Sequence, residues 1–475
     1  MKRYLKLILI VLPLTLFSCN KWLNVEPESQ VRDTYLFSTE SGFKEALAGV
    51  YASLTYEPLY GREMTFGLIG VLGYEWDSQA SAYDFDKVYD YRISASLIRI
   101  DAIWNGMYTS IANDNKLLEE IDAKKSVFKG DNYYVIKGEA LALRAFLHFD
   151  LLRVFGASYQ ENPQKIAIPY YKKTGSEIAP QLSVADVLDL AITDLKEAAE
   201  LLNNVDPVNS GRTITTLDDN GYLLNRQVHL NYYAVQGLLA RIYLYKKDYS
   251  NAQKCAEIVI ESNKFPWIQP NALADKTRAD LTFSTEHLFA LNVIRLKTIN
   301  DASFVTVGNA LFSATFTTRT EYYQNETSDY RYLNWFDFNS SATNYFNKYT
   351  QLEGSGWPQA YRNKIPMIKL AEMYFIAAEA QRNTNITAAA SLINEVRIHR
   401  GLSPTTINEA NFDSVLLLEF RKEFIGEGQL FFFHKRKNNA SIPRAAGLNL
   451  ITLKGYKLPI PVSEFNNAPG RVDNR

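Results

Sequence analysis

The sequence predicts a mostly α protein: a scaffold of tetratricopeptide-like helix pairs that carries a large loop-rich, aromatic-rich insertion. Three observations carry this. Apolar residues recur at helical spacing along most of the chain. Two segment pairs repeat the small-and-large spacing of helix-pair arrays. Residues 264–362 lose the helical period and fill with Asn, Ser, Thr, Gly and aromatic rings.

In chain order, Thr39-Glu40-Ser41 opens an amphipathic stretch through Phe43, Leu47, Val50 and Leu54, with a hydroxyl placed to cap its first turn. A second helix is expected over 96–121. A third runs from Tyr133 to the glycine stop at Gly156. Ser183 reads as the cap of a fourth, through Val187, Leu190, Ile192, Leu195 and Leu201. Residues 203–227 read as a loop. Further helices are expected at 228–246, 249–262, 365–382, 387–400, 408–425 and 428–437, and Ser284 to Ile294 reads as a strand. The repeat spacing is Ala240-x2-Tyr243 with Ala252-x3-Ala256-x2-Val259, then Ala377-x2-Ala380 with Ala389-x3-Ile393-x2-Val396. Small residues let antiparallel helices approach closely while larger ones fill the next layer. Helical scaffold is thus expected over about 35–262 and 363–437, around an irregular insertion at about 264–362.

The N-terminus carries a different signal. Lys2, Arg3 and Lys6 precede an apolar run from Leu5 to Phe17 that closes on Ser18-Cys19. That run is shorter than the ~20 residues a spanning helix needs, so residues 1–18 read as a removable signal peptide. The small residue before Cys19 resembles a bacterial lipobox, making Cys19 the lipidated first residue of a mature chain 19–475. A secretory peptide cut nearby and an uncleaved anchor are the alternatives. Loss of the three cations would move the net charge from -1 to -4, too balanced for a nucleic-acid surface. Cys255 is then the single remaining cysteine, inert within a helical pattern, and no disulfide framework is expected.

Aromatic clustering marks the candidate ligand-binding residues. Residues 319–361 hold 12 aromatics in 43 positions, and their only Leu, Ile, Val or Met residues are Leu333 and Leu352. Residues 74–92 repeat the bias, with Tyr74, Trp76, Tyr83, Phe85, Tyr89 and Tyr91 interleaved with Asp77, Asp84, Asp86 and Arg92. Flat rings cover the C–H face of a pyranose while Asp, Asn and Arg reach its hydroxyls. The expected ligand contacts are Tyr74, Trp76, Asp77 and Tyr83 from the first cluster and Tyr332, Trp335 and Trp357 from the second, provided the two converge. Packing of these rings against the helices is the competing expectation. Trp104 lies on a helix and is assigned to the scaffold.

Catalytic signatures are missing: there is no G-x-S-x-G, H-E-x-x-H, Walker loop or C-x-x-C. Gly426-Glu427-Gly428 lacks a third glycine and follows a helix. His148 and His399 read as structural, so neither metal nor cofactor is expected. Glu372 and Glu379 share a helix face and read as structural ion pairs in preference to an acid/base pair. A hydrolase is unsupported.

Four segments together resemble the SusD/RagB family of outer-membrane nutrient-binding lipoproteins. They are Cys19-Asn20-Lys21-Trp22-Leu23-Asn24-Val25-Glu26-Pro27; Arg144 through Gly156 followed by Ile168-Pro169-Tyr170; Ile368 through Ala380 with Asn394-Glu395-Val396-Arg397 and Arg400-Gly401-Leu402; and Glu419 through Phe424, Glu427-Gly428, Lys435-Arg436 and Leu458 through Glu464. The resemblance implies a non-enzymatic protein with one SusD-like domain. It would be lipid-anchored on the outer membrane facing the cell exterior, where it passes oligosaccharides, or sometimes peptides, to a SusC-like TonB-dependent barrel. Asn20 and Asn24 stand where members often carry Asp. The shared motifs lie in the scaffold and leave the cargo open.

Overall fold

The computed structural model describes residues 35–475 apart from 176, 216–220, 276–278, 306–309, 315, 325, 338–344 and 351–361. Its ten longer helices are α1 (Glu40–Leu54), α2 (Ser94–Ile121), α3 (Asn132–Phe155), α4 (Val184–Leu202), α5 (Tyr232–Tyr245), α6 (Tyr249–Glu261), α7 (Leu370–Gln381), α8 (Ile386–Ile398), α9 (Phe412–Phe424) and α10 (Gln429–Lys437). From α1 to α8, each helix packs on the next in sequence. That serial stack is the mostly α, helix-pair architecture expected. Ala240, Ala252, Ala256, Val259, Ala377, Ala389, Ile393 and Val396 are all buried in it. The α6–α7 contact joins the two repeat pairs across the intervening hundred residues.

Local sequence signals set the helix ends. The Thr39 hydroxyl accepts the Gly42 N–H at 3.2 Å, and the Ser183 hydroxyl accepts that of Asp186 at 3.2 Å. Each satisfies an N–H that the first turn leaves unpaired. Gly156 does end α3, but in extended backbone. Its need for glycine is space: a Cβ there would lie 2.6 Å from Leu152 Cδ1.

The start of α7 differs most from expectation. Residues 365–369 are strand, and the helix starts only at Leu370. Pro366 disfavours helical backbone at Ile365, and the segment is claimed by pairing. Four two-stranded antiparallel sheets form: β1 (Ser78–Gln79) with β5 (Phe312–Ser313), β2 (Ile166–Pro169) with β3 (Gln181–Ser183), β4 (His287–Asn292) with β8 (Lys364–Lys369), and β6 (Phe336–Asp337) with β7 (Tyr345–Phe346). The β4–β8 pair, register His287 to Lys369 and Asn292 to Lys364, brings both ends of the insertion together. It lies on α5, where Gly237 leaves room; a Cβ would meet Leu288 at 2.9 Å and Ile368 at 3.0 Å. Asn231 Nδ2 donates to the Leu288 carbonyl at 2.7 Å.

The insertion is more ordered than expected. It contains helices Phe316–Tyr323 and Tyr330–Asn334 and is tied to α9 by buried charge. Arg331 pairs with Asp329, Glu419 and Glu423 at 2.7 to 3.1 Å, and Arg400 with Glu286 and Glu423 at 2.6 and 2.9 Å. Lys348 and Lys369 share Glu427 at 2.6 and 2.7 Å. Glu427 sits between Gly426 and Gly428, both left-handed (φ 80° and 70°), so the glycine pair builds a sharp α9–α10 turn.

Candidate functional site

The two aromatic stretches do converge, though as an interior. Trp76 is 2% exposed; its ring centroid lies 5.1 Å from Phe304, 5.9 Å from Phe312 and 5.1 Å from Phe346. Its indole N–H donates to the Phe66 carbonyl at 2.7 Å. Trp335, fully buried, stacks on Phe283 at 5.3 Å and donates to the Leu281 carbonyl at 2.7 Å. Tyr83 is 3% exposed, gives its hydroxyl to Glu63 Oε1 at 2.9 Å and lies under Arg99. Tyr74, 7% exposed, donates to the Lys87 carbonyl at 2.8 Å.

The expectation that these four rings face outward is therefore corrected: Tyr74, Trp76, Tyr83 and Trp335 are core. The physical reason is area. Each such ring removes about 150–250 Å² from water, worth roughly 4–6 kcal/mol on transfer, and a nearby carbonyl or carboxylate satisfies each polar tip. Trp357 lies outside the described residues.

The aromatic core carries a polar edge. Asp77, half-buried, is ion-paired with Arg444 and accepts the Thr318 hydroxyl. Arg444 also donates to the Tyr74 carbonyl at 3.2 Å and lies 3.5 Å from Glu321. Glu321 in turn accepts from Arg421 at 2.8 Å. Tyr74 and Arg444 both hold left-handed backbone (φ 56° and 74°), an uncommon state for non-glycine residues that functional positions often retain. Beside them Lys87 donates to Gln79 at 2.8 Å, and Gln79 to Asp84 at 2.8 Å. Ser78 and Ser313 hydroxyls meet at 2.6 Å across the β1–β5 pair. Tyr332 is half-buried, with the Arg319 guanidinium 3.5 Å from its ring centroid. Phe85, 46% exposed, is the most open ring of the first cluster.

Asp77 and Tyr332 sit on the partly open edge, beside Arg444, Arg319, Glu321 and Lys87, which the sequence did not single out. Arg444 and Lys87 carry no local signature: each is a single cation, and only folding brings Arg444 to a residue 367 positions away.

Beneath this face Glu75 is fully buried, and burial pushes its carboxyl up to about 8. One oxygen accepts the Gly426 N–H at 2.7 Å while Oε1 has no partner. The paired carboxylates Glu372 and Glu379 are structural, as expected. Glu372 takes Arg241 at 2.6 Å and Glu379 takes Arg436 at 2.7 Å, whereas Arg144 binds Asp194 at 2.7 Å. Burial opposes ionisation of Glu379, but Arg436 and Lys437 outweigh it and hold the carboxyl at about 2. A group held that low is a poor general acid at neutral pH. His148 is buried; burial lowers it to about 3, and its ring bridges the Arg144 carbonyl and the Tyr171 N–H. Burial raises the Cys255 thiol to about 11, so it is not a ready nucleophile. No three His, Cys, Asp or Glu side chains among the described residues are grouped to hold a metal ion.

A serial helix stack presenting a loop-built polar face is the architecture of a scaffolded binding protein. The particular family follows from comparison. Residues 21–244 match the SusD-like family model described as starch-binding associating with outer membrane, and residues 300–442 match the SusD family model. The chain belongs to the SusD/RagB family. It is 27% identical over 253 residues to the SusD-like protein P38 of Formosa agariphila, a stretch covering 52% of this chain and 43% of that protein. Its fold matches a SusD superfamily protein of Bacteroides thetaiotaomicron at a TM-score of 0.72, with 21% identity over 92% of this chain and 100% of the other. A SusD-like carbohydrate binding protein of Bacteroides vulgatus matches at 0.65, with 19% identity over 84% and 83% of the two chains.

Proposed function

We propose that this chain is a cell-surface lipoprotein, anchored through Cys19 at the outer membrane after loss of residues 1–18. It captures oligosaccharides and delivers them, without turning them over, to a SusC-like TonB-dependent transporter. The observation that carries the capture step is the convergence of both ring-rich stretches under one polar edge. The buried rings Trp76 and Trp335 hold the edge rigid, and the edge supplies sugar chemistry. Tyr332 offers a ring to a pyranose C–H face, and Asp77, Gln79, Asp84 and Arg444 offer hydroxyl partners. Trp357, outside the described residues, is retained as a proposed sugar-stacking residue. The Bacteroides vulgatus neighbour's description as carbohydrate binding supports the ligand class, and the description of the matching family model supports the location. No described helix is long and apolar enough to cross a membrane.

Calorimetry with a panel of soluble glycans and peptides tests the proposal. We expect a glycan to bind, and Arg444→Ala and Tyr332→Ala each to weaken it by about tenfold or more, the equivalent of ~1.4 kcal/mol. Peptide-only binding would transfer the face to peptide capture, and release of product from any glycan would end the binding-only account.

A further inference from the structure

A second cavity, of about 440 Å³, opens between α2, residues 171–175 and 177–178, and the C-terminal helix Val462–Asn467. We propose that it is a separate saccharide-binding site. The choice of ligand rests on the functional reading above; the site itself shares no residue with the capture face.

The argument is from the lining. Its floor is aromatic and rigid. The Trp104 and Tyr108 centroids lie 4.8 Å apart, and Tyr108 meets Tyr171 edge-on at 5.7 Å. Three hydrogen bonds lock that floor. Tyr108 donates to the Pro169 carbonyl at 3.0 Å, Asn115 Nδ2 to the Tyr171 carbonyl at 2.9 Å, and Arg471 to the Tyr171 hydroxyl at 3.2 Å. A floor already fixed costs little entropy to bind against. Around it Asn105, Thr109 and Asn467 are exposed, and their side chains hold no hydrogen bond to another described residue. Amides and a hydroxyl over apolar rings, with Lys173, Glu177 and Glu464 also on the lining, suit a pyranose, whose hydroxyl rim needs donors and acceptors together.

The cavity near Arg382, Arg436 and Lys437 is crossed by charges matched to Glu379 and Asp413. The one between Tyr56, Leu59 and Ile294 is walled mainly by apolar groups. The second site is also independent of the first in space. Arg99, which lies over Tyr83, and Ala112, at the cavity wall, project from roughly opposite sides of α2 at 3.6 residues per turn. Two sites on one chain would raise retention of a long glycan by keeping one end bound while the other moves.

Titration calorimetry of the detergent-solubilised full chain tests this with maltohexaose, cellohexaose, xylohexaose, laminarihexaose and mannohexaose. The expected result is two equivalents of at least one hexasaccharide per chain. Ala112→Trp, which fills the cavity from an exposed position, should remove one equivalent and leave the other unchanged. Asn105→Ala with Thr109→Ala should weaken the same equivalent by about tenfold or more. Arg444→Ala should remove only the other. A single equivalent insensitive to Ala112→Trp would overturn the second site and leave the capture face standing. A single equivalent sensitive to Ala112→Trp and indifferent to Arg444→Ala would support the second site and count against the capture face. No heat with any of the five probes overturns it.

Discussion

Glu423 shows how single residues hold this molecule together. Its two oxygens receive Arg400 at 2.9 Å each, Lys369 at 2.9 Å and Arg331 at 3.1 Å, all buried. Burial acts to raise its pKa, but Arg400 and Lys369 outweigh it and hold the carboxyl well below 4.5. Glu423→Gln leaves buried cations short of a counter-charge and should cost roughly 3–5 kcal/mol, read by denaturant unfolding near pH 7. Because the folded pKa is depressed, this stabilisation is present above the unfolded value of 4.5 and lost as pH falls below it. The penalty of the substitution should shrink accordingly in acid. Glu75 has the opposite sign. Its folded pKa is raised to about 8 by burial, so between pH 4.5 and 8 the folded state binds a proton that the unfolded state has released, and stability falls as pH rises. Glu75→Gln should therefore gain on the parent across that window, by up to about 1.4 kcal/mol per pH unit. A pH-independent difference between the two unfolding curves would refute this. Several residues that carry the family resemblance (Glu372, Arg397, Arg400, Glu419, Glu423 and Glu427) belong to buried ion pairs. That explains why these motifs identify the fold and are silent on the ligand.

At the scale of elements, the helices were legible because their signals are local. Caps at Thr39 and Ser183, the α10 span and the alanine spacing of α5–α6 and α7–α8 depend on residues within a few turns of each other. Ala256 is fully buried where its helix meets its neighbours. Ala256→Leu should overpack that contact and cost about 1–3 kcal/mol, with a lowered melting temperature as the readout. A neutral outcome would mean the α5–α6–α7 contact is looser than described. The segment 364–369 was not legible as a strand, because its partner lies some 75 residues earlier and a short apolar run before a helix looks like its first turn. The ordered insertion was missed for the same reason: its order comes from charges on α9.

For the whole molecule, a scaffold of serially packed helices supports one loop-built face and, on its other side, a second lined cavity. Attachment is predicted to depend on one atom. Cys19→Ala should shift the protein from the membrane pellet to the soluble fraction after cell lysis; unchanged pelleting would favour an uncleaved anchor. By itself the sequence determined the mostly α class, the helix boundaries to within a few residues and the family. Each of these rests on periodicity, capping or motifs that neighbouring residues write together. Only the tertiary structure decided which rings are core and which are surface. Trp76 and Tyr332 look alike in an aromatic-rich stretch; what separates them is distant partners such as Phe304 and Phe346, which bury the one, while the other stays half open beneath Arg319.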